Sequence, residues 1–457
     1  MKFILLPFLC ATFFSFSQLP IGHTTLTFND PTRTGGFGSG GGSGRQIQTE
    51  IYYPATSAGT STPVASGAFP VIVFGHGFAM SWDAYNDIWE HYVPRGFILA
   101  FVRTEGSLIP SPSHGDFGLD LSLVAQKMLD LQTTSSLFQN HIYPKVGIMG
   151  HSMGGGASFL AASNNTNIHA LIGLAPAETT PSAIAVAANV QVPSIVFSGS
   201  SDGVTPPAQN HIPMFDGITS MCKSFVSITG GGHCYFANAN FNCDFGESTS
   251  STGISITRTQ QQTATFSVLD PWLDYMLKDI CSAYEAFELS VANSPGIVGQ
   301  TTCPVVPTVD ISQNGSILST STIGSSYQWF LNNVAIPGAF ANYYDMGLNP
   351  AGVYNVQVTF PFGCGISPNI NIAGLENPLI DLVFVQPNPC HDVLSISNTS
   401  GATIEGTLLT LSGQIVQKMD IQPGEIQLNV SCFKHGVYFL KLEQNKTVLV
   451  QKCVIGY

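Results

Sequence analysis

The chain has 457 residues, a formal net charge of −13 and only 9% charged side chains. That length exceeds what one hydrophobic core supports, so two or three domains are expected. The acidic balance excludes nucleic acid and anionic membrane surfaces as partners, because both repel it and no basic cluster offsets it.

Few charges with abundant Gly, Ser, Thr, Asn and Pro suit a secreted protein of strands and loops. Residues 1–17 carry one Lys2, an apolar run over 3–14 and then Ser15-Phe16-Ser17, with small residues where a signal peptidase reads. This predicts a cleaved signal peptide. A membrane anchor needs about 18 to 20 apolar residues; this run is shorter, Pro7 interrupts it, and no other span is apolar enough for stable membrane insertion. Export makes disulfides expected among the nine cysteines that follow Cys10. Cys222, Cys234, Cys243 and Cys281 allow three pairings, and Cys390, Cys432 and Cys453 leave an odd thiol. None has the paired spacing of a zinc site, so no metal is expected.

In chain order, 24–28 and 46–53 alternate as strands do, joined by the flexible Gly-rich stretch 35–44. That stretch is not a phosphate loop, since it lacks the Gly-Lys-Ser/Thr ending and no buried strand feeds it. The run 69–74 has the pattern of a strand covered on both faces and ends in Gly75-His76-Gly77-Phe78. A helix over 85–93, a strand over 97–102, a helix over 119–131 and a strand over 146–149 follow. Strands at 169–174, 194–198 and 225–229 and a helix at 265–277 continue the alternation. This predicts an α/β domain with a mainly parallel sheet flanked by helices.

The strand at 146–149 runs into Gly150-His151-Ser152-Met153-Gly154, the G-x-S-x-G pattern of a strained strand-to-helix turn that exposes a serine. A Cβ at 150 or 154 is expected to clash there. Asp202 follows the strand 194–198, and His233 ends Gly230-Gly231-Gly232-His233 after the strand 225–229. Ser152, Asp202 and His233 are therefore the candidate catalytic residues. A serine hydroxyl is a poor nucleophile unless a base removes its proton, and a carboxylate fixes the tautomer of that base. Asp202 also suits a plain turn before Gly203, and His233 a structural loop. His76, His114 and His151 are rival bases, with His76 and His151 read as shaping the pocket, and Asp116 and Glu178 are rival acids. The amide of Met153, directly after the nucleophile, is a candidate oxyanion donor.

These motifs resemble the α/β-hydrolase fold, in its dienelactone-hydrolase, cutinase and platelet-activating-factor-acetylhydrolase-like branch, over about 24–280. The resemblance rests on His76-Gly77-Phe78, on Gly-His-Ser-Met-Gly-Gly-Gly and on the order Ser, Asp, His. It implies that the amide of Phe78 is the second oxyanion donor. The sequence departs from the polyester-degrading relatives at Ala177, where a Trp is usual after Ala-Pro, and at Gly199, where some of them carry a Cys three residues before the acid. Cys234 beside His233 is expected in a disulfide with Cys222, Cys243 or Cys281.

Beyond Lys278 the composition shifts, and 290–307 reads as a linker. The stretch 309–372 resembles an immunoglobulin-like or PKD-like β-sandwich with Trp329 in its core and Cys303 and Cys364 stapling its ends. A carbohydrate platform is the competing reading of its aromatics. The unit from about 379 to 457 holds Gln386-Pro387-Asn388-Pro389, Leu411-Ser412-Gly413-Gln414 and Gly436-Val437-Tyr438-Phe439-Leu440. It is similar to the type IX secretion sorting domain, which implies the type IX machinery as a partner and a secreted or cell-surface location. The expected domains are a signal peptide at 1–17, a hydrolase at 18–288, a linker and β-sandwich at 289–375, and a sorting domain at 376–457. The expected activity is hydrolysis of carboxylic esters, in the manner of an esterase, lipase or cutinase, without metal or organic cofactor. The same triad would also serve a peptidase or amidase. A reading of another class is an inactive adhesin or carbohydrate-binding surface protein.

Overall fold

Short runs rich in β-branched and aromatic residues become the strands of one large sheet. In chain order these are β1 (Ile21–Asp30), β2 (Arg45–Pro54), β3 (Phe69–Gly75), β4 (Ile98–Val102), β5 (Ile142–His151), β6 (Ile168–Leu174), β7 (Ser194–Gly199), β8 (Lys223–Ile228) and β9 (Ile297–Thr302). The main helices between them are α1 (Asn86–Tyr92), α2 (His114–Thr134), α3 (Met153–Ala162), α4 (His211–Gly217), α5 (Phe241–Ser250), α6 (Arg258–Lys278) and α7 (Ala283–Asn293). The computed structural model describes residues 18–347, 351–372, 379, 382–445 and 447–456, so the signal peptide expected at 1–17 lies outside the described residues.

The strand order is β9-β8-β7-β6-β5-β3-β4-β2-β1, with the short strands Gly36–Phe37 and Gly59–Thr60 added on β2 and β1. Strands β3 to β8 run parallel, while β1, β2 and β9 join antiparallel. A parallel strand lies between two helical layers and is apolar on both faces. Every residue of β3 and β4 is buried accordingly. Alternate side chains feed separate cores: Val71, Val73, Phe117, Leu121 and Ile148 on one face, and Ile72, Phe74, Tyr85, Met149 and Trp272 on the other. This is the mainly parallel sheet expected from the alternation.

Helices α2 and α6 begin earlier than the apolar spacing indicated, because their first turns are polar and set by caps. Ser113 accepts the Asp116 amide at 3.2 Å, and Thr257 with Gln260 forms a capping box. The expected linker is corrected: its residues 297–302 form β9, paired with β8 from Ile297↔Ile228 to Thr302↔Lys223. As an edge strand it leaves nearly every side chain exposed, so it carries no apolar alternation to read.

The chain divides into two compact units. Of the described residues, the larger takes in those from 18 to 330 with 334–345 and 355–368; the smaller takes in those within 331–333, 346–354 and 369–456. In the larger, Ile317–Ser319 pairs with Ser312–Asn314 and with Tyr343–Asp345, and Trp329 is wholly buried. Among the described residues, three disulfides join Cys222 to Cys303, Cys234 to Cys243 and Cys281 to Cys364. The expected Cys303–Cys364 staple is therefore corrected. The β8–β9 ladder sets Thr302 opposite Lys223 and so brings the adjoining Cys303 beside Cys222, while Cys364 meets Cys281 just beyond α6. The smaller unit holds a three-stranded and a four-stranded antiparallel sheet over Leu394, Ile396, Leu408, Leu440 and Leu442. Cys390, Cys432 and Cys453 are free thiols there.

Candidate active site

The central strands β3 and β5 lie side by side, with Gly75 opposite Gly150, so the loops leaving their ends emerge together. At the end of β5 the chain turns directly into α3, and the turning residue, Ser152, takes φ 58° and ψ −123°. A positive φ in a residue with a Cβ is strained and persists only where its surroundings impose it. Here they do. A Cβ on Gly150 would stand 2.1 Å from the Gly154 carbonyl oxygen, and one on Gly154 would stand 2.1 Å from that of Gly75. Backbone hydrogen bonds complete the turn: Ser152 N–H donates to Leu174 at 3.0 Å, and its carbonyl accepts Gly156 and Ala177 at 3.1 and 2.9 Å.

Asp202 stands in the turn after β7 and His233 in the turn after β8. Both are almost wholly buried, and His233 Nδ1 lies 2.8 Å from Asp202 Oδ2. A carboxylate only accepts, so Nδ1 carries the proton and Nε2 is left as the basic nitrogen. Asp202 Oδ1 accepts the amides of Val204 and Thr205 at 2.9 and 2.8 Å. Burial pushes the Asp202 carboxyl up, but the His233 hydrogen bond and the neighbouring imidazoles outweigh it, and the group is held below the usual carboxylate value. Thr205 Oγ1 lies 2.9 Å from Asp202 Oδ2, 2.8 Å from His233 Nδ1 and 3.0 Å from His211 Nε2. His211, on α4, is fully buried, and Ser198 Oγ holds its Nδ1 at 2.8 Å. Burial lowers its pKa to about 4, against the pull of Asp202.

His151, beside the serine, wires the loops together. Its Nδ1 lies 2.9 Å from the Tyr85 hydroxyl, which accepts the Gly77 amide at 2.8 Å. Its Nε2 lies 3.1 Å from the His233 carbonyl oxygen. Tyr85 thus donates to Nδ1, and Nε2–H donates to the histidine loop. Burial, with the nearby His233, holds the His151 pKa well below the ordinary histidine value, which matches a neutral ring. His76 is also buried, with Nε2 2.9 Å from the Thr104 carbonyl. His76 lines a cavity beside the loop after β3, while His151 ties the Tyr85 side chain to the His233 loop. The other rivals lie in local structure: His114 accepts the Thr180 amide, Asp116 pairs with Arg33, and Glu178 accepts the Ile184 amide.

Met153 is the first residue of α3, and Phe78 lies in the loop after β3 with its side chain 47% exposed. His151, His233 and Cys243 bring potential ligand atoms within 4.8 Å of one another. They make no metal set, because Cys243 Sγ is bonded to Cys234. A cavity of about 840 Å³ opens beside the loop after β3, lined by His76, Met80, Trp82, Phe37 and Glu105 among others; Ser152, Asp202 and His233 are not in its wall. Sequence reasoning missed Tyr85, Thr205, His211 and Glu247, whose buried carboxylate accepts the Cys234 amide at 2.8 Å. Thr205 and His211 left one signal, polar residues in the stretch directly after Asp202.

A family model described as PET hydrolase-like matches residues 21–255, just over half the chain. A second, a secretion system C-terminal sorting domain, matches 384–456 and implies secretion or export to the cell surface. Among curated proteins, the bis(hydroxyethyl) terephthalate hydrolase of Streptomyces coelicolor is 26% identical over 40% of this chain and 54% of its own length. Chlorophyllase-1 of Citrus sinensis is 25% identical over 38% of this chain and 56% of its own. Cutinase 2 of Thermobifida cellulosilytica is 23% identical over 44% of this chain and 68% of its own. The chain spans about half the length of the first two of these relatives. Taken with the parallel sheet and the glycine-flanked Ser152 turn, the family match places the assignment: the chain belongs to the PET hydrolase-like family of α/β-hydrolases.

Proposed function

We propose that this protein is an exported serine hydrolase of carboxylic esters. The observation that carries the reading is the buried 2.8 Å contact between His233 Nδ1 and Asp202 Oδ2; a serine held at positive φ in a strand-to-helix turn supports it. Ser152 attacks the ester carbonyl while His233 Nε2 takes its proton, and Asp202 holds Nδ1–H and supports the imidazolium. The amides of Phe78 and Met153 receive the negative charge that develops on the carbonyl oxygen. The protonated His233 then releases the alcohol, and water, activated by the same base, frees the acid. One relative is named as a hydrolase of bis(hydroxyethyl) terephthalate, which is an ester, and this supports an ester over an amide. Hydrolysis of p-nitrophenyl acetate and butyrate by wild type and Ser152→Ala tests the reading; equal rates in the two would end it.

The sorting-domain match supports a finer proposal. The chain crosses the outer membrane by type IX secretion after an N-terminal signal at 1–17 directs it through the inner one, and it works at the cell surface or outside. Deleting residues 379–457 should trap it in the periplasm, and continued secretion would refute this.

A further inference from the structure

Helix α5 follows the His233 loop, and its side chains reach three separate loops of the site. Near its start, Asn242 Nδ2 donates to the Ala79 carbonyl at 2.8 Å, one residue beyond Phe78. Next to it, Cys243 is bonded to Cys234, the residue after His233. Toward its end lies Glu247, only 5% exposed. One carboxylate oxygen accepts the His233 amide, and the other accepts the Cys234 amide at 2.8 Å. Just past the helix, Ser251 Oγ donates to Glu247 Oε1 at 3.1 Å and accepts the Gly203 amide at 2.9 Å. Gly203 is the residue after Asp202, so one carboxylate and one hydroxyl tie the base loop to the acid loop.

The two loops are shaped for this approach. A Cβ on Gly232 would stand 2.6 Å from Glu247 Oε1, and one on Gly203 would stand 2.0 Å from the Ser250 carbonyl oxygen. Glycine is required at both for the end of α5 to come so near. A buried carboxylate is costly unless donors satisfy it, and here two amides and a hydroxyl do so. Such charge-assisted bonds are shorter and stronger than neutral ones and fix geometry more tightly. Glutamine could not replace them, because its amino group would face a backbone N–H.

We propose that Glu247 is a positioning residue: through α5 it fixes the backbone that carries His233, and through Ser251 it holds the Asp202 loop in register with it. The proposal rests on the assignment of Ser152, Asp202 and His233 above. It adds that the Cys234–Cys243 bond keeps Glu247 in place, so that the acid–base geometry depends on a helix outside the triad.

The test uses the full chain and two readouts. Labelling by diethyl p-nitrophenyl phosphate reports activation of Ser152 without knowledge of the natural substrate, and p-nitrophenyl butyrate gives kcat and KM. Misplacing a reacting group by about 1 Å can lower rates about 100-fold. Glu247→Gln should therefore slow labelling and kcat by about 10- to 100-fold with KM changed less than about twofold, and Ser251→Ala should lower kcat by about 3- to 10-fold. The Cys234→Ser, Cys243→Ser double variant should lower kcat in the same way. A folded Glu247→Gln protein that labels at the wild-type rate overturns the proposal, as does a loss confined to KM. Should Glu247→Gln fail to fold, wild-type kcat in Ser251→Ala overturns it equally. Wild type that is not labelled at Ser152 removes the triad assignment itself, a separate failure.

Discussion

The hydroxyl of Tyr85 stands 2.9 Å from Nδ1 of His151 and so joins the segment before α1 to the Ser152 turn. The same oxygen accepts the Gly77 amide, one residue before Phe78. Tyr85→Phe would leave a buried N–H and a buried ring nitrogen unpaired, each at a cost of about 1–3 kcal/mol. The expected outcome is a stability loss of at least about 1 kcal/mol in urea denaturation, together with a lower kcat. Unchanged stability would show that water replaces the hydroxyl.

Gly154→Ala should be more damaging than its small size suggests. The added Cβ would meet the Gly75 carbonyl oxygen at 2.1 Å, and backbone does not yield as a flexible side chain does. Either β3 or the Ser152 turn must move. We expect a loss above about 3 kcal/mol by chemical denaturation and no detectable ester hydrolysis; an active, stable Gly154→Ala protein would mean that the turn is not rigid.

His211 sets part of the acid limb of stability. Burial lowers its native pKa to about 4, and the unfolded value is 6.5. Below pH 6.5 the unfolded chain binds a proton that the native state refuses until about pH 4. Stability is therefore present above 6.5 and lost as pH falls through that window, by up to about 3 kcal/mol for this group. Asp202, His233, Thr205 and Ser198 face the ring. In His211→Gln the dependence of unfolding free energy on pH between about 4.5 and 6.5 should flatten by up to one proton, which urea titrations across that range would detect.

Asp87 acts in the opposite sense. Neither of its buried oxygens has a partner in good hydrogen-bonding geometry, and burial pushes the carboxyl up to about 7, offset only in part by the nearby Asp87 and Ile88 amides and by Arg258. Between about pH 4 and 7 the native state keeps a proton that the unfolded chain has lost, so stability falls as pH rises. Asp87→Asn should thus raise the melting temperature at pH 8 and leave it nearly unchanged at pH 4, with a gain of up to about 4 kcal/mol. Equal melting temperatures at pH 8 would show that the carboxylate is hydrated.

The sheet was legible because parallel strands are apolar on both faces, and runs such as 71–74 and 98–102 stand out in any reading. The Ser152 turn was legible because its glycines are forced by backbone contact. Elements that carry no apolar pattern escaped. β9 is an edge strand with exposed side chains, and α5 buries little besides Glu247, so its importance lies in hydrogen bonds that no periodicity reveals. Disulfide pairing escaped for a related reason: Cys222 meets Cys303 only because β9 returns to the sheet.

The family match ends at residue 255, but the sheet does not. A recombinant fragment cut there would lose β9 and α6 with its Trp272, strip the cover from the face of the sheet that carries Ile72 and Met149, and uncover the outer edge of β8. An open strand edge recruits other chains, and Cys222, deprived of Cys303, would add a thiol able to cross-link them. A fragment meant to keep this sheet whole should run past Cys303, and past Cys364 to keep the partner of Cys281.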